Sequence, residues 1–238
     1  MPDIEHRIEF HESLSGIRSD VVRLAALTTE TIARGTAALL ERDLGAAQHL
    51  VDDDDVVDAL SLQIEDDCFR VLALQSPIAS DLRLLISSIR IVAELERSAD
   101  LMVNVCKAAR RLYDVDFDPR VRGLVQSMAH EAMTLTNAAI ESYADSDEAL
   151  AGALDDMDSR LDDLQRTYVE AIFTSHQAAQ LDLRSATQMA LIGRYYERIG
   201  DHAVNIGERV TFIVTGWLPE HTGAARLEMR KRTMTDEG

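Results

Sequence analysis

Cysteine is nearly missing: the 238 residues hold two, Cys68 and Cys106. Two thiols cannot make a disulfide framework, and no CxxC spacing exists to grip zinc, so both are expected to be buried and reduced. Proline (4), glycine (11) and aromatics (5%) are scarce as well. That shortage starves β-sheets and tight turns and leaves a helix-forming composition rich in Ala, Leu, Arg, Asp and Glu. Basic charge is also short: 24 Lys and Arg stand against 42 Asp and Glu, for a net charge of −18. This argues against nucleic-acid binding, which draws its affinity from clustered Lys and Arg. Uncharged stretches such as Val71 to Ser80 fall short of the roughly 18 to 20 residues that cross a bilayer, so membrane contact is expected only through a partner. The opening MPDIEHRIEFHES alternates acids and bases where a secretory leader needs an apolar stretch. What is present, 46% hydrophobic and 28% charged residues, suits a folded all-α protein with one large or two small cores.

Breaks near Asp43-Leu44-Gly45, Gln75-Ser76-Pro77, Asp116 to Pro119, Asp145-Ser146-Asp147, Ser175-His176-Gln177 and Gly216 to Pro219 separate segments of helical periodicity. They predict six helices, near 13–43, 46–75, 77–113, 119–145, 148–175 and 178–216. A 30-residue helix is about 45 Å long, a length that packs as an elongated antiparallel bundle. In the third segment Ser76 is placed to cap and Pro77 to open the helix. Leu82, Leu85, Ile86, Ile89 and Ala93 follow at helical spacing and read as core. Glu96 and Asp100 fall on or beside that stripe.

The sequence repeats itself. Residues 91–105, IVAELERSADLMVNV, align at an offset of 101 with 192–206, IGRYYERIGDHAVNI, sharing E-R-x-x-D-x-x-V-N-[VI]. At the same offset Asp81-Leu82-Arg83 matches Asp182-Leu183-Arg184. At a slightly different one, Asp54, Asp58 and Leu60 match Asp158, Asp162 and Leu164. Three pieces in the same order make the chain two tandem three-helix units, with a first repeat at 1–116, a second at 117–218 and a tail at 219–238.

Each unit carries an acid pair at i, i+4 on its second helix, Asp54/Asp58 or Asp158/Asp162, and on its third, Glu96/Asp100 or Glu197/Asp201. Like charges at that spacing repel by a few tenths of a kcal/mol. If the second and third helices are antiparallel neighbours, four carboxylates converge in each unit, an arrangement that requires cations or protonation. Ion pairs with Arg97 or Arg198 are the competing explanation, and either second-helix pair taken alone reads as a solvated face before it reads as a metal site. Oxygen-only ligation suits Mg, Ca, Mn or Fe, and carboxylate sites also take Zn and Ni. The Glu-x-x-His pairs of a di-iron bundle are missing, as are HExxH, phosphate loops and a nucleophile elbow, so no enzyme signature is present. Gly193, Gly200 and Gly207, spaced by sevens, read as close helix packing. His202 reads as a satisfied interfacial histidine, and Asn104 and Asn205 as cross-helix hydrogen-bonders. In the tail, Arg226, Arg230, Lys231 and Arg232 suit an acidic partner or lipid head groups, although a flexible end is the commoner explanation of such a segment.

The segments LQSPIASDLRLLISSIRIVAELERSAD and LDLRSATQMALIGRYYERIGDHAVNIGERV closely resemble the PhoU family over about residues 10–216. The resemblance implies two three-helix bundles related by a pseudo-twofold axis, and multinuclear binding of divalent or ferric ions (Fe, Zn, Mn or Mg) through [ED]-x-x-x-D motifs. These map onto Glu96/Asp100 and Glu197/Asp201, with Asp54/Asp58 and Asp158/Asp162 in the matching second-helix positions. The first copy departs from the family pattern, reading ERSAD where ERIGD is usual. It also implies a cytoplasmic homodimer, a non-enzymatic negative regulator of phosphate uptake. As an adaptor it links an ABC phosphate transporter to a sensor histidine kinase and represses phosphate-starvation genes. The alternative is a carboxylate–metal enzyme, redox or hydrolytic, built on the same helices.

Overall fold

The computed structural model describes residues 2–178 and 181–217, with side chains from residue 8 onward; the basic tail lies outside the described residues. Apart from short connections these residues are helical: α1 (Pro2–Glu41), α2 (Leu44–Asp52), α3 (Asp54–Gln75), α4 (Ala79–Arg111), α5 (Pro119–Asp145), α6 (Glu148–Gln177) and α7 (Leu183–Thr215). The six expected long helices are present, with the second interrupted at Asp53. The first begins earlier than periodicity suggested.

Helix ends follow local chemistry. Aspartates cap the N-termini: Asp43 accepts from the amide of Ala46, Asp118 from Arg120, Asp147 from Leu150, and Asp182 from Arg184 and Ser185. Such caps satisfy backbone donors that have no partner inside the helix. Ser76, Ser146 and Gly216 turn left-handed to end α3, α5 and α7, as a C-terminal residue commonly does. The reading of Ser76 as a cap and Pro77 as the first helical residue is therefore corrected. Ser76 terminates α3, Pro77 lies in the connection, and α4 starts at Ala79 behind Ile78.

The α4 stripe is corrected as well. Leu85 is fully buried, but Leu82 and Ile86 are 37% and 39% exposed, and Ile89 and Ala93 are only half-buried. The buried face is Leu84, Leu85, Ser88, Ile91, Val92, Leu95, Ala99 and Met102. The helix is enclosed by α1, α3 and α7 together, which widens and rotates its apolar face relative to a single-neighbour stripe. Glu96 and Asp100 stand on the flank of that face.

In the first repeat α1, α3 and α4 pack on one another, and in the second α5, α6 and α7 do the same. The third helices α4 and α7 join across the middle, as do the first helices α1 and α5, whereas α3 and α6 touch only helices of their own repeat. Two buried hydroxyl pairs cross the join, Thr36 Oγ1 with Tyr196 Oη and Ser88 Oγ with Tyr143 Oη, each at 2.7 Å. Arg18 on α1 donates to the carbonyls of Tyr143 (3.1 Å) and Ala144 (2.8 Å) and to Ser146 Oγ (3.1 Å), closing the end of α5. Arg122 on α5 donates to the carbonyl of Leu40, near the end of α1. Arg18 and Arg122 are 104 residues apart, a further piece of the repeat. Cys68 and Cys106 are buried free thiols, with pKa values pushed up by burial to about 12 and about 11.

Candidate metal-binding grooves

The acid pairs lie in two grooves, between α3 and α4 and between α6 and α7. Each carboxylate sits at a helix position whose neighbours face the core: Leu95 and Ala99 flank Glu96 and Asp100, and Ile199 and Gly200 lie between Glu197 and Asp201. The outer acids Asp58, Asp100, Asp162 and Asp201 are exposed, Asp54, Glu96 and Glu197 are half-buried, and Asp158 is buried.

Electrostatics tie each set of four together. Burial, then Asp100 and Asp58, push the pKa of Asp54 up to about 6 against an opposing pull from Lys107. Glu96 is raised by burial, then by Asp100 and Asp58. In the second repeat Asp158 is pushed up to about 7 by burial, then by Asp162, Asp201 and Glu197. In both repeats the acids of the two helices lie near enough to raise one another's pKa, without closing into a ready-made ligand set. Glu65 and Asp155 add to the same clusters. Sequence reading missed them, although Glu65 lies two turns beyond Asp58 and Asp155 one turn before Asp158.

The competing arginine explanation accounts for part of the charge. Arg97 turns to Glu94 at 3.5 Å instead of Glu96, while Glu197 pairs with Arg194, one turn back on its own helix. Neither pair reaches Asp158. Its Oδ1 is buried and has no hydrogen-bond partner, an arrangement that is costly for a carboxylate unless a proton or a cation sits against it. Among the described residues no three His, Cys, Asp or Glu side chains already stand together in a geometry that grips a metal ion, so a cation would have to draw the outer acids inward. The donors fit a hard cation: they are oxygen only, share one charge, and include an inner oxygen without a partner.

His202 is 4% exposed, with Nδ1 2.9 Å from Ser98 Oγ across the α4–α7 join and Nε2 3.8 Å from Glu94 Oε2. Burial, then Arg198 and Arg97, push its pKa down to about 4, which keeps it a neutral interfacial histidine. Asn104 and Asn205 are half-buried, and no cross-helix hydrogen bond from either is found among the described residues.

A chain of this build is a tandem helical-repeat protein that presents one acidic groove twice about an internal pseudo-twofold. The chain belongs to the PhoU family: the PhoU domain model matches it twice, at residues 21–109 and 125–210. It is 35% identical over 214 residues to the phosphate-specific transport system accessory protein PhoU homolog 1 of Mycobacterium tuberculosis, covering 90% of this chain and 96% of that one. It superposes on the crystal structure of PhoU from Pseudomonas aeruginosa with a TM-score of 0.81 at 29% identity, covering 87% of this chain and all of that one. For the phosphate transport system regulatory protein PhoU from Streptococcus pneumoniae the TM-score is 0.80 at 25% identity, with 88% and 98% covered. No helix among the described residues is long and apolar enough to cross a membrane.

Proposed function

We propose that this chain is a cytoplasmic accessory protein of phosphate uptake that signals phosphate sufficiency. In this reading it is an adaptor between an ABC phosphate transporter and a sensor histidine kinase, acts as a homodimer, and holds structural or sensory metal in its two acidic grooves. Family membership and the relatives' description as phosphate-specific transport system accessory proteins support the phosphate role. The observation that carries the metal reading is the orphaned Asp158 Oδ1 among Asp162, Glu197 and Asp201. Glu197, Asp201, Asp158 and Asp162 would hold metal in one repeat and Glu96, Asp100, Asp54 and Asp58 in the other, the cation supplying the positive charge that lets all four acids ionise. Long helices offer extended faces to partner helices, and an acidic surface attracts basic cytoplasmic segments.

The test is a deletion strain with a phosphate-starvation reporter, together with a pull-down from cells grown in high and low phosphate and metal analysis of the same preparation. Reporter expression in phosphate-rich medium, and recovery of the transporter or the kinase with the tagged chain, are expected. Normal repression in a strain without a second copy of such a gene, or robust metal-dependent turnover by the purified chain, overturns the reading in favour of a carboxylate–metal enzyme.

A further inference from the structure

The two grooves are built on the same pattern but are not equivalent. Gly200 lies between Glu197 and Asp201 on α7 and faces α6. A Cβ added there would stand 2.2 Å from Asp158 Oδ1 and 2.8 Å from Leu161 Cδ2. The Asp158 carboxylate thus occupies space that any side chain at position 200 would take, and it is only 9% exposed. Positions 197, 200 and 201 share one helical face, so the unpartnered oxygen is set against the very turn that carries half-buried Glu197 and exposed Asp201.

In the first repeat the residue 101 positions earlier is Ala99, fully buried, which carries the methyl group that Gly200 lacks. Asp54, which holds the place of Asp158 in this repeat, is only half-buried. Asp54 also opens α3 after the break at Asp53, where the helix N-terminus already favours negative charge, and Lys107 lies close enough to offset it. Asp158 is in the interior of α6 and has none of these aids.

We propose that the grooves are unequal cation sites and that Gly200 is the positioning residue that sets their order. The second-repeat groove takes the first divalent cation, and the first-repeat groove fills at higher concentration. An inner carboxylate that is already stripped of water and held in place loses less hydration and less freedom on ligating a cation than a hydrated one. This inference rests on the metal reading above and adds an order that the repeat alone would not supply.

The chain, stripped of metal by chelator, is titrated with Mn(II) at pH 8 by calorimetry and by thermal melting, beside Gly200→Ala, Asp158→Asn and Asp54→Asn. The wild type should show two classes of site with dissociation constants at least about tenfold apart. Gly200→Ala should weaken the tight class at least about tenfold and leave the weak class unchanged. Asp158→Asn, which preserves side-chain size, should abolish the tight class, and Asp54→Asn only the weak one. The two asparagine variants decide the matter should Gly200→Ala fold poorly by far-UV circular dichroism. One class of equal sites, or loss of the same class in both asparagine variants, overturns the order while leaving metal binding intact. No heat and no melting shift in the wild type removes the metal reading together with this one.

Discussion

At Gly207 an added Cβ would stand 2.6 Å from Leu154 Cδ1 and 2.8 Å from the carbonyl oxygen of Ala151, and at Gly193 2.7 Å from Tyr168 Cδ1. Backbone cannot step aside as a side-chain tip can. Gly207→Ala is therefore expected to destabilise the chain by about 1–3 kcal/mol in urea melts. Gly152 lies in α6 with nothing within 4 Å of an added Cβ, so Gly152→Ala should instead stabilise by about 0.5–1 kcal/mol. A second residue-scale prediction concerns pH. The folded state holds a proton on Asp158 up to about pH 7 and on Asp54 up to about pH 6, whereas the unfolded carboxyls release theirs near 3.8. Their contribution to stability is thus complete below about pH 4 and lost as pH rises through the folded values. His202 runs the other way between its ordinary 6.5 and about 4, so the comparison of wild type with Asp158→Asn isolates the carboxyl. Without metal, the melting temperature of the wild type should fall from pH 6.5 to 8 more steeply than that of the variant, and excess Mn(II) should shrink the difference. The sevens spacing disclosed the glycine seam; what Gly200 makes room for depends on the register of α6 against α7, which no local pattern encodes.

Among the elements, helix ends were more legible than helix faces. Asp118 with Pro119, Asp147 and Gly216 act where their chemistry places them, since each acts through backbone a few residues away. The break at Asp53 is harder to read because it sits in a run of four aspartates with backbone still near helical values, and Arg34 from α1 pairs with it at 3.4 Å. The α4 stripe differs because the helices enclosing α4 turn its buried face towards Leu84, Ser88 and Ile91, which leaves Leu82 and Ile86 on the exposed side. The reciprocal arginines tie the two first helices to each other. Each donates to carbonyls at the end of the opposing first helix, where the helix dipole also favours a cation. Arg18→Ala and Arg122→Ala should each cost about 1–2 kcal/mol, measured by denaturant unfolding. A negligible loss for both would show that water replaces them.

For the molecule as a whole, one apolar core runs through both repeats, from Val21 and Ile32 on α1 to Ile206 and Val210 on α7. Calorimetry should therefore show a single cooperative unfolding transition; two resolved transitions would mean that the repeats unfold apart. The charge of −18 belongs to this scale too. If it steers the proposed encounter with a basic cytoplasmic segment, the on-rate should drop as added salt shortens the Debye length from about 30 to 8 Å, and a salt-independent on-rate would assign recognition to apolar contacts. The arginine exchange between first helices has a consequence for symmetry. Arg18 reaches the end of α5 and Arg122 the end of α1, so the two contacts are one contact met from both sides, the signature of an isologous pair. Were the two repeats separate copies of one half-length chain, every substitution in this contact would appear on both sides at once. Within a single chain that constraint is absent. Position 99 and position 200 are free to differ, as they do.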